Sequence, residues 1–149
     1  MTTAIQNAEA RLLRERLAAL DIEVIRTRFH RGVLIAEIAP EGQARLLERW
    51  ELGYPDVPGN FLTRYPPERT APIDGDDDGL RPESFEVSEG WTGDHYVETF
   101  FSERAALRWF EPGYECIDEC ARIDRLWLTK HGFCKLARRF YGGINRYDV

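Results

Sequence analysis

The stretch 22-IEVIRTRFHRGVLIAEI-38 decides how this chain folds. Residues 22–29 are β-branched and partly alternating, 30-HRG-32 carries a turn signal, and 33-VLIAEI-38 is a nearly continuous apolar run. Alternation with a period of two marks a half-buried strand, and a nearly continuous apolar run marks a strand covered on both faces. The stretch therefore predicts a β-hairpin whose second strand is central in a sheet.

Helices flank the hairpin. Residues 4–20 place Ile5, Leu12, Leu13, Leu17 and Leu20 near one side, with Arg11, Arg14, Glu15 and Arg16 outside it. Pro40 and Glu41 open a second helix that runs roughly to Trp50, with Leu46, Leu47 and Trp50 inward. A second hairpin follows later: 84-SFEVS-88, the glycine-rich turn 90-GWTGD-94, and 95-HYVETFF-101. Ser102 is a good N-cap for a helix over 103–111, which Pro112 and Gly113 stop. Residues 114–141 are helical in pattern, and Gly142 and Gly143 end them.

Six of the eight prolines fall between Glu51 and Pro82, with Gly53, Gly59, Gly75 and Gly79 among them. That composition predicts a long loop over 51–82, with room for a short strand at 60-NFLTRY-65. The order is α-β-β-α-loop-β-β-α-α. It predicts one α+β domain over 1–149, a two-layer arrangement of helices on an antiparallel sheet of about four strands.

The totals narrow the setting. With 149 residues, 43% of them hydrophobic, the chain can bury a core. No run of eighteen apolar residues exists to span a membrane, and the charged N-terminus is not expected to act as a secretory signal. Three cysteines argue for reduced thiols and a cytoplasmic setting. Eighteen of the twenty basic residues are Arg, which suggests a GC-rich coding genome, bacterial or phage.

The net charge of −6 is unevenly distributed. Residues 51–102 hold 3 basic and 12 acidic groups, whereas residues 103–149 hold 9 basic and 7 acidic groups. The acidic peak is 74-DGDDDG-79, which resembles the opening of an EF-hand loop. The closing bidentate Glu should sit at the twelfth position, which is Phe85, so calcium is not expected and a solvated acidic loop is.

Cys116, Cys120, His131 and Cys134 are spaced C-x3-C-x10-H-x2-C and include every cysteine. Thiolate and imidazole are zinc's preferred ligands, and four of them close a structural site. Such a site requires the chain to fold back near Gly132. A continuous helix instead makes the cysteines part of one buried face. Both readings stay open at this level. A third feature is the basic tail: Arg122, Arg125, Lys135, Arg138 and Arg139 are candidates to contact phosphates, with aromatic residues interleaved.

Enzyme signatures are absent. The sequence has no G-x-x-x-x-G-K-[ST], G-x-G-x-x-G, H-E-x-x-H or G-x-S-x-G. His95, beside Asp94 and near Glu98, is a candidate acid/base group, but adjacent strand residues point apart, so Asp94 cannot simply orient His95. Cys134 with His131 could make a nucleophile pair, but no orienting third group is evident. By elimination the sequence leads us to expect a non-enzymatic protein-binding regulator or inhibitor, of the kind encoded by mobile elements. Asp74, Asp76, Asp77, Asp78, Glu83, Glu86 and Glu89, with Trp91 as aromatic anchor, would occlude a basic, nucleic-acid-binding partner. Anti-CRISPR and anti-restriction proteins are the class analogy. The alternatives are a zinc-stabilised module that contacts nucleic acid through its C-terminal helices, and a divergent enzyme around His95 and Glu98.

Overall fold

The computed structural model describes residues 3–52, 60–89, 96–111 and 117–142. These divide into two compact units, residues 1–64 with 86–98, and residues 65–85 with 99–149.

The first unit opens with helix α1 (Ala4–Ala19). The Thr3 hydroxyl accepts the Gln6 N–H and the Gln6 side chain accepts the Thr3 N–H, a reciprocal cap that satisfies two orphan amides. The helix ends at Asp21, whose φ of 63° lets the Asp21 and Ile22 amides reach back to the carbonyls of Ala18 and Leu17. Strand β1 (Val24–His30) then pairs antiparallel with β2 (Val33–Ile38). Arg31 and Gly32 both have positive φ, 49° and 82°. That is the two-residue turn whose twist matches a hairpin. Ile35 and Ala36 are successive and both buried, so β2 is covered on both faces as its apolar run predicts.

The chain next forms α2 (Pro40–Glu51) and returns as β3 (Asn60–Tyr65). β3 pairs with β2 in parallel, Ala36 opposite Phe61. Parallel neighbours need a crossover, and α2 supplies it. Among the described residues the sheet has five strands where about four were expected, and its β2–β3 pair is parallel. The helix sits close to the chain before the hairpin: a Cβ on Gly42 would lie 2.9 Å from the Ile22 side chain. Leu13, Leu17, Ile22, Ala36, Ile38, Leu46 and Phe61 form the core of this unit. Ile5 and Leu12, expected on the inner side of α1, are instead exposed, so the buried stripe is narrower than the sequence suggests. A polar link is buried beside the core. The Thr63 hydroxyl donates to the Gln43 side-chain oxygen (3.2 Å), and the Gln43 amide donates to the Ser88 hydroxyl (3.5 Å).

Within the stretch expected to be a long loop, two short strands follow β3. They are β4 (Glu68–Arg69) and β5 (Leu80–Arg81), an antiparallel ribbon in the second unit. Then come β6 (Ser84–Glu89) and β7 (Tyr96–Phe100), and the large sheet runs β1-β2-β3-β6-β7. The expected turn at 90–94 lies outside the described residues.

In the second unit, α3 (Glu103–Trp109) is capped by the Ser102 hydroxyl, which accepts the Ala105 N–H. The helical pattern over 114–141 resolves into α4 (Ile117–Lys130) and α5 (Cys134–Tyr141). Gly132, at φ 89°, closes α4: its amide reaches Thr129 and the Phe133 amide reaches Leu128. Phe101, Ala121, Leu128, Leu136, Ala137 and Tyr141 form this unit's core. No described helix is long and apolar enough to cross a membrane.

Candidate functional site: a cationic groove on α4

The two faces of α4 carry different chemistry. Cys120, Ala121, Asp124 and Leu128 are buried. They follow one another at intervals of one, three and four residues, which keeps them on a single side of the helix. Asp124, the lone acid in the basic tail, is fully buried and holds the unit together. One carboxylate oxygen accepts the Phe101 and Ser102 amides (2.9 and 2.6 Å), and the other accepts the Tyr141 hydroxyl (2.7 Å). Burial pushes this carboxyl above its ordinary range, and the four hydrogen bonds from Tyr141, Phe101 and Ser102 offset only part of that effect.

The outer face of α4 lines a groove of about 520 Å³. Glu119, Arg122, Ile123, Leu126, Trp127 and Lys130 come from α4 itself, joined by Ser102, Arg104 and His131. Ile123, Leu126 and Trp127 make an apolar floor, and Leu126 is 55% exposed. His131 stacks on Trp127 with ring centroids 4.2 Å apart and an interplanar angle of 20°. A carbonyl oxygen only accepts, so the 2.8 Å contact to the Trp127 carbonyl puts a proton on His131 Nδ1. Nε2 is then left as the ring's remaining polar atom.

The charges in the groove are unbalanced. Its one acid, Glu119, accepts from Arg108 at 2.9 Å, a guanidinium that Glu119 shares with Glu111. Arg104, Arg122 and Lys130 are exposed and form no ion pair among the described residues.

The acidic residues of 74–79 are arranged differently. Asp77 is buried and accepts two hydrogen bonds from Arg81 (2.7 and 2.8 Å) as well as the Ile73 and Gly79 amides. Those donors, Arg81 first, hold its carboxyl well below the usual carboxylate range. Asp77 is therefore a brace of its own turn, a correction to its expected place on a solvated binding surface. Gly79 is required in the same turn, since its φ is 79° and an added Cβ would overlap the Thr70 carbonyl. Asp74 pairs with Arg139, and Asp76 with Arg138 at 3.4 Å. The acidic loop and the basic tail thus meet within one unit. Asp78 is exposed and its side chain accepts the Leu80 amide.

Glu83 and Glu86 are half-buried, and burial raises the Glu86 carboxyl despite its hydrogen bond with Gln43. Glu98 is half-buried on β7. Trp91, His95 and Cys116, and the side chains of Trp50 and Glu89, lie outside the described residues. Of the basic candidates, Arg122 lines the groove, Arg125 is half-buried and Lys135 is exposed.

The described members of the C-x3-C-x10-H-x2-C set do not converge. Cys120 lies in the first turn of α4 and His131 follows its end, about 16.5 Å apart along the axis at 1.5 Å per residue. Two ligands of one zinc ion lie within about 4 Å of each other. Cys120 is buried and Cys134 is exposed beside the Gly132 turn. The chain does break near Gly132, but the break leaves Cys120 at the far end of α4. Among the described residues no three His, Cys, Asp or Glu side chains gather as metal ligands.

Arg104 and Leu126 were not singled out from the sequence. The signal that could have found the groove was Leu126, an apolar residue in the polar phase of α4. No protein-family model, curated protein or solved structure matches the chain.

Proposed function

We propose that this chain is a non-enzymatic binding protein that holds an acidic, apolar-anchored segment of a partner protein in the α4 groove. One observation carries the reading: Arg104, Arg122 and Lys130, three cations with no ion pair among the described residues, surround an apolar floor of half-buried Ile123 and Trp127 and exposed Leu126. Binding surfaces concentrate their energy in such apolar or aromatic anchors, and a charged rim selects the partner. A net charge of −6 repels long polyanions at a distance. A short segment with two or three carboxylates needs only the local cations. Regulation or inhibition follows if the captured segment is one the partner needs.

Occlusion of a basic partner by residues 74–98, the reading expected from the sequence, draws less support. Asp74, Asp76 and Asp77 each already face an arginine of their own unit.

Fluorescence anisotropy with three labelled probes tests the proposal: an acidic Leu/Phe-containing peptide, its basic counterpart and a single-stranded oligonucleotide. The acidic peptide should bind, and Arg122→Ala with Leu126→Ala should weaken it at least tenfold. Preference for the basic peptide or the oligonucleotide, or indifference to the double substitution, would overturn the reading.

A further inference from the structure

The second set of cations, on α5, is engaged by the chain's own carboxylates. Helix α5 buries Leu136, Ala137 and Tyr141 and turns Lys135, Arg138, Arg139 and Phe140 outward. Asp74 and Asp76 approach this outer face from 65 and 62 positions earlier in the chain, and they pair with Arg139 and Arg138 respectively. Two anionic oxygens on two neighbouring arginines make the contact that two phosphates of a nucleic-acid strand would make.

The turn that presents these acids is built rigidly. The Asp74 side chain accepts the Asp76 amide at 2.9 Å. The Asp77–Arg81 pair and the Thr70–Gly79 hydrogen bond (2.7 Å) close its base. The carboxylates are thus held in place before any ligand arrives, which lowers the entropy cost of occupying the arginines. The pairs themselves are solvent-exposed, with Asp76 and Arg138 side chains at 62% and 54% exposure, so each is weak and displaceable.

We propose that the acidic turn is an autoinhibitory contact: it occupies the Arg138–Arg139 face of α5 and keeps that face closed to nucleic-acid backbones. The contact gives the acidic run a role that needs no external partner, and it stands independently of the α4 groove. It also accounts for a basic, aromatic-rich tail within an acidic protein. The tail is available only to an anion that outcompetes the turn.

The test compares two double variants of equal net charge. Asp74→Asn with Asp76→Asn opens α5, while the carboxamide introduced at position 74 retains an oxygen that can accept the residue-76 amide. Asp78→Asn with Glu68→Gln removes the same charge from exposed carboxylates that do not pair with α5. Binding of a labelled single-stranded oligonucleotide is measured across a series of salt concentrations. Opening α5 should tighten binding at least tenfold at low salt. It should also steepen the slope of log K against log salt by about 1.4, the value for two phosphates on a single strand.

The equal-charge control should leave the slope unchanged. Adding Arg138→Ala and Arg139→Ala to the opened variant should abolish the gain. The single change Asp76→Asn, milder for the fold, should give about half the shift in slope. Equal effects from the two double variants, no tightening in the opened variant or its single-change counterpart, or a gain that survives loss of both arginines would each overturn the proposal.

Discussion

Helices α4 and α5 are adjacent in sequence and both rich in arginine and lysine, yet they present their cations in opposite states. On α5, Arg138 and Arg139 face aspartates of the acidic turn. On α4, Arg122 and Lys130 ring an apolar floor and have no ion-pair partner among the described residues. A basic stretch in a sequence therefore does not define one surface. What matters is which cations the fold has already matched with anions, because a matched cation must lose its partner before it can take another.

The strongest way to break this contrast is to dissolve the scaffold beneath both helices. Asp124 on α4 ties the Phe101 and Ser102 amides to Tyr141 on α5. Asp124→Ala should lower unfolding free energy by about 3 kcal/mol, since it strands several buried donors at once. Urea denaturation measures it, and a loss below about 1 kcal/mol would show that the junction is dispensable.

Next in size is the groove floor. Leu126→Ala removes an exposed side chain, so stability should hardly change. Affinity for the acidic peptide should fall by about 1 to 2 kcal/mol, roughly five- to thirtyfold. Equal losses of stability and affinity would make Leu126 a packing residue. Tyr141→Phe then removes one hydrogen bond to Asp124 and should cost about 1 kcal/mol in the same urea experiment. Opening the α5 contact with Asp74→Asn and Asp76→Asn should be the mildest change, costing less than about 1 kcal/mol of stability because both pairs are exposed.

The two buried aspartates sharpen the contrast through pH. Asp77 sits on Arg81 and its folded carboxyl lies below the ordinary value of 3.8. Its contribution to stability is present above that pH and is lost as pH falls toward the folded value. Asp124 has no cation among its hydrogen-bond partners, and its folded carboxyl lies above 3.8. The native state then holds a proton that the unfolded chain releases, so this contribution is greatest below 3.8 and declines as pH rises through the folded value. Unfolding free energies of wild type, Asp77→Asn and Asp124→Asn between about pH 3 and 6 check both signs. The wild-type advantage over Asp77→Asn should grow with pH, and that over Asp124→Asn should shrink.

Much of the local architecture was legible before the structure. The hairpin at 30-HRG-32, the start of α2 at Pro40, the Ser102 cap and the strands at 84–89 and 96–100 all lie where the sequence places them. These signals act over a few residues, through turn geometry, capping and side-chain alternation. The site was legible only in fragments. Arg122 was named, but the apolar floor around Leu126 and Trp127 depends on which way α4 is rotated, and of the described members of the cysteine-and-histidine pattern His131 lines the groove while Cys120 is buried.

What the sequence determined by itself, then, is the place of the first hairpin, of α1, α2 and α3, and of β6 and β7, because those choices depend on short-range backbone chemistry; it left β4 and β5 inside a loop and did not divide α4 from α5. The tertiary structure alone decided that β3 joins β2 in parallel, that Asp124 is the buried member of the basic tail, and that Asp74 meets Arg139. That last pair is 65 residues apart in the chain. No local pattern encodes such a meeting, since it follows from where packing of the apolar faces carries each segment.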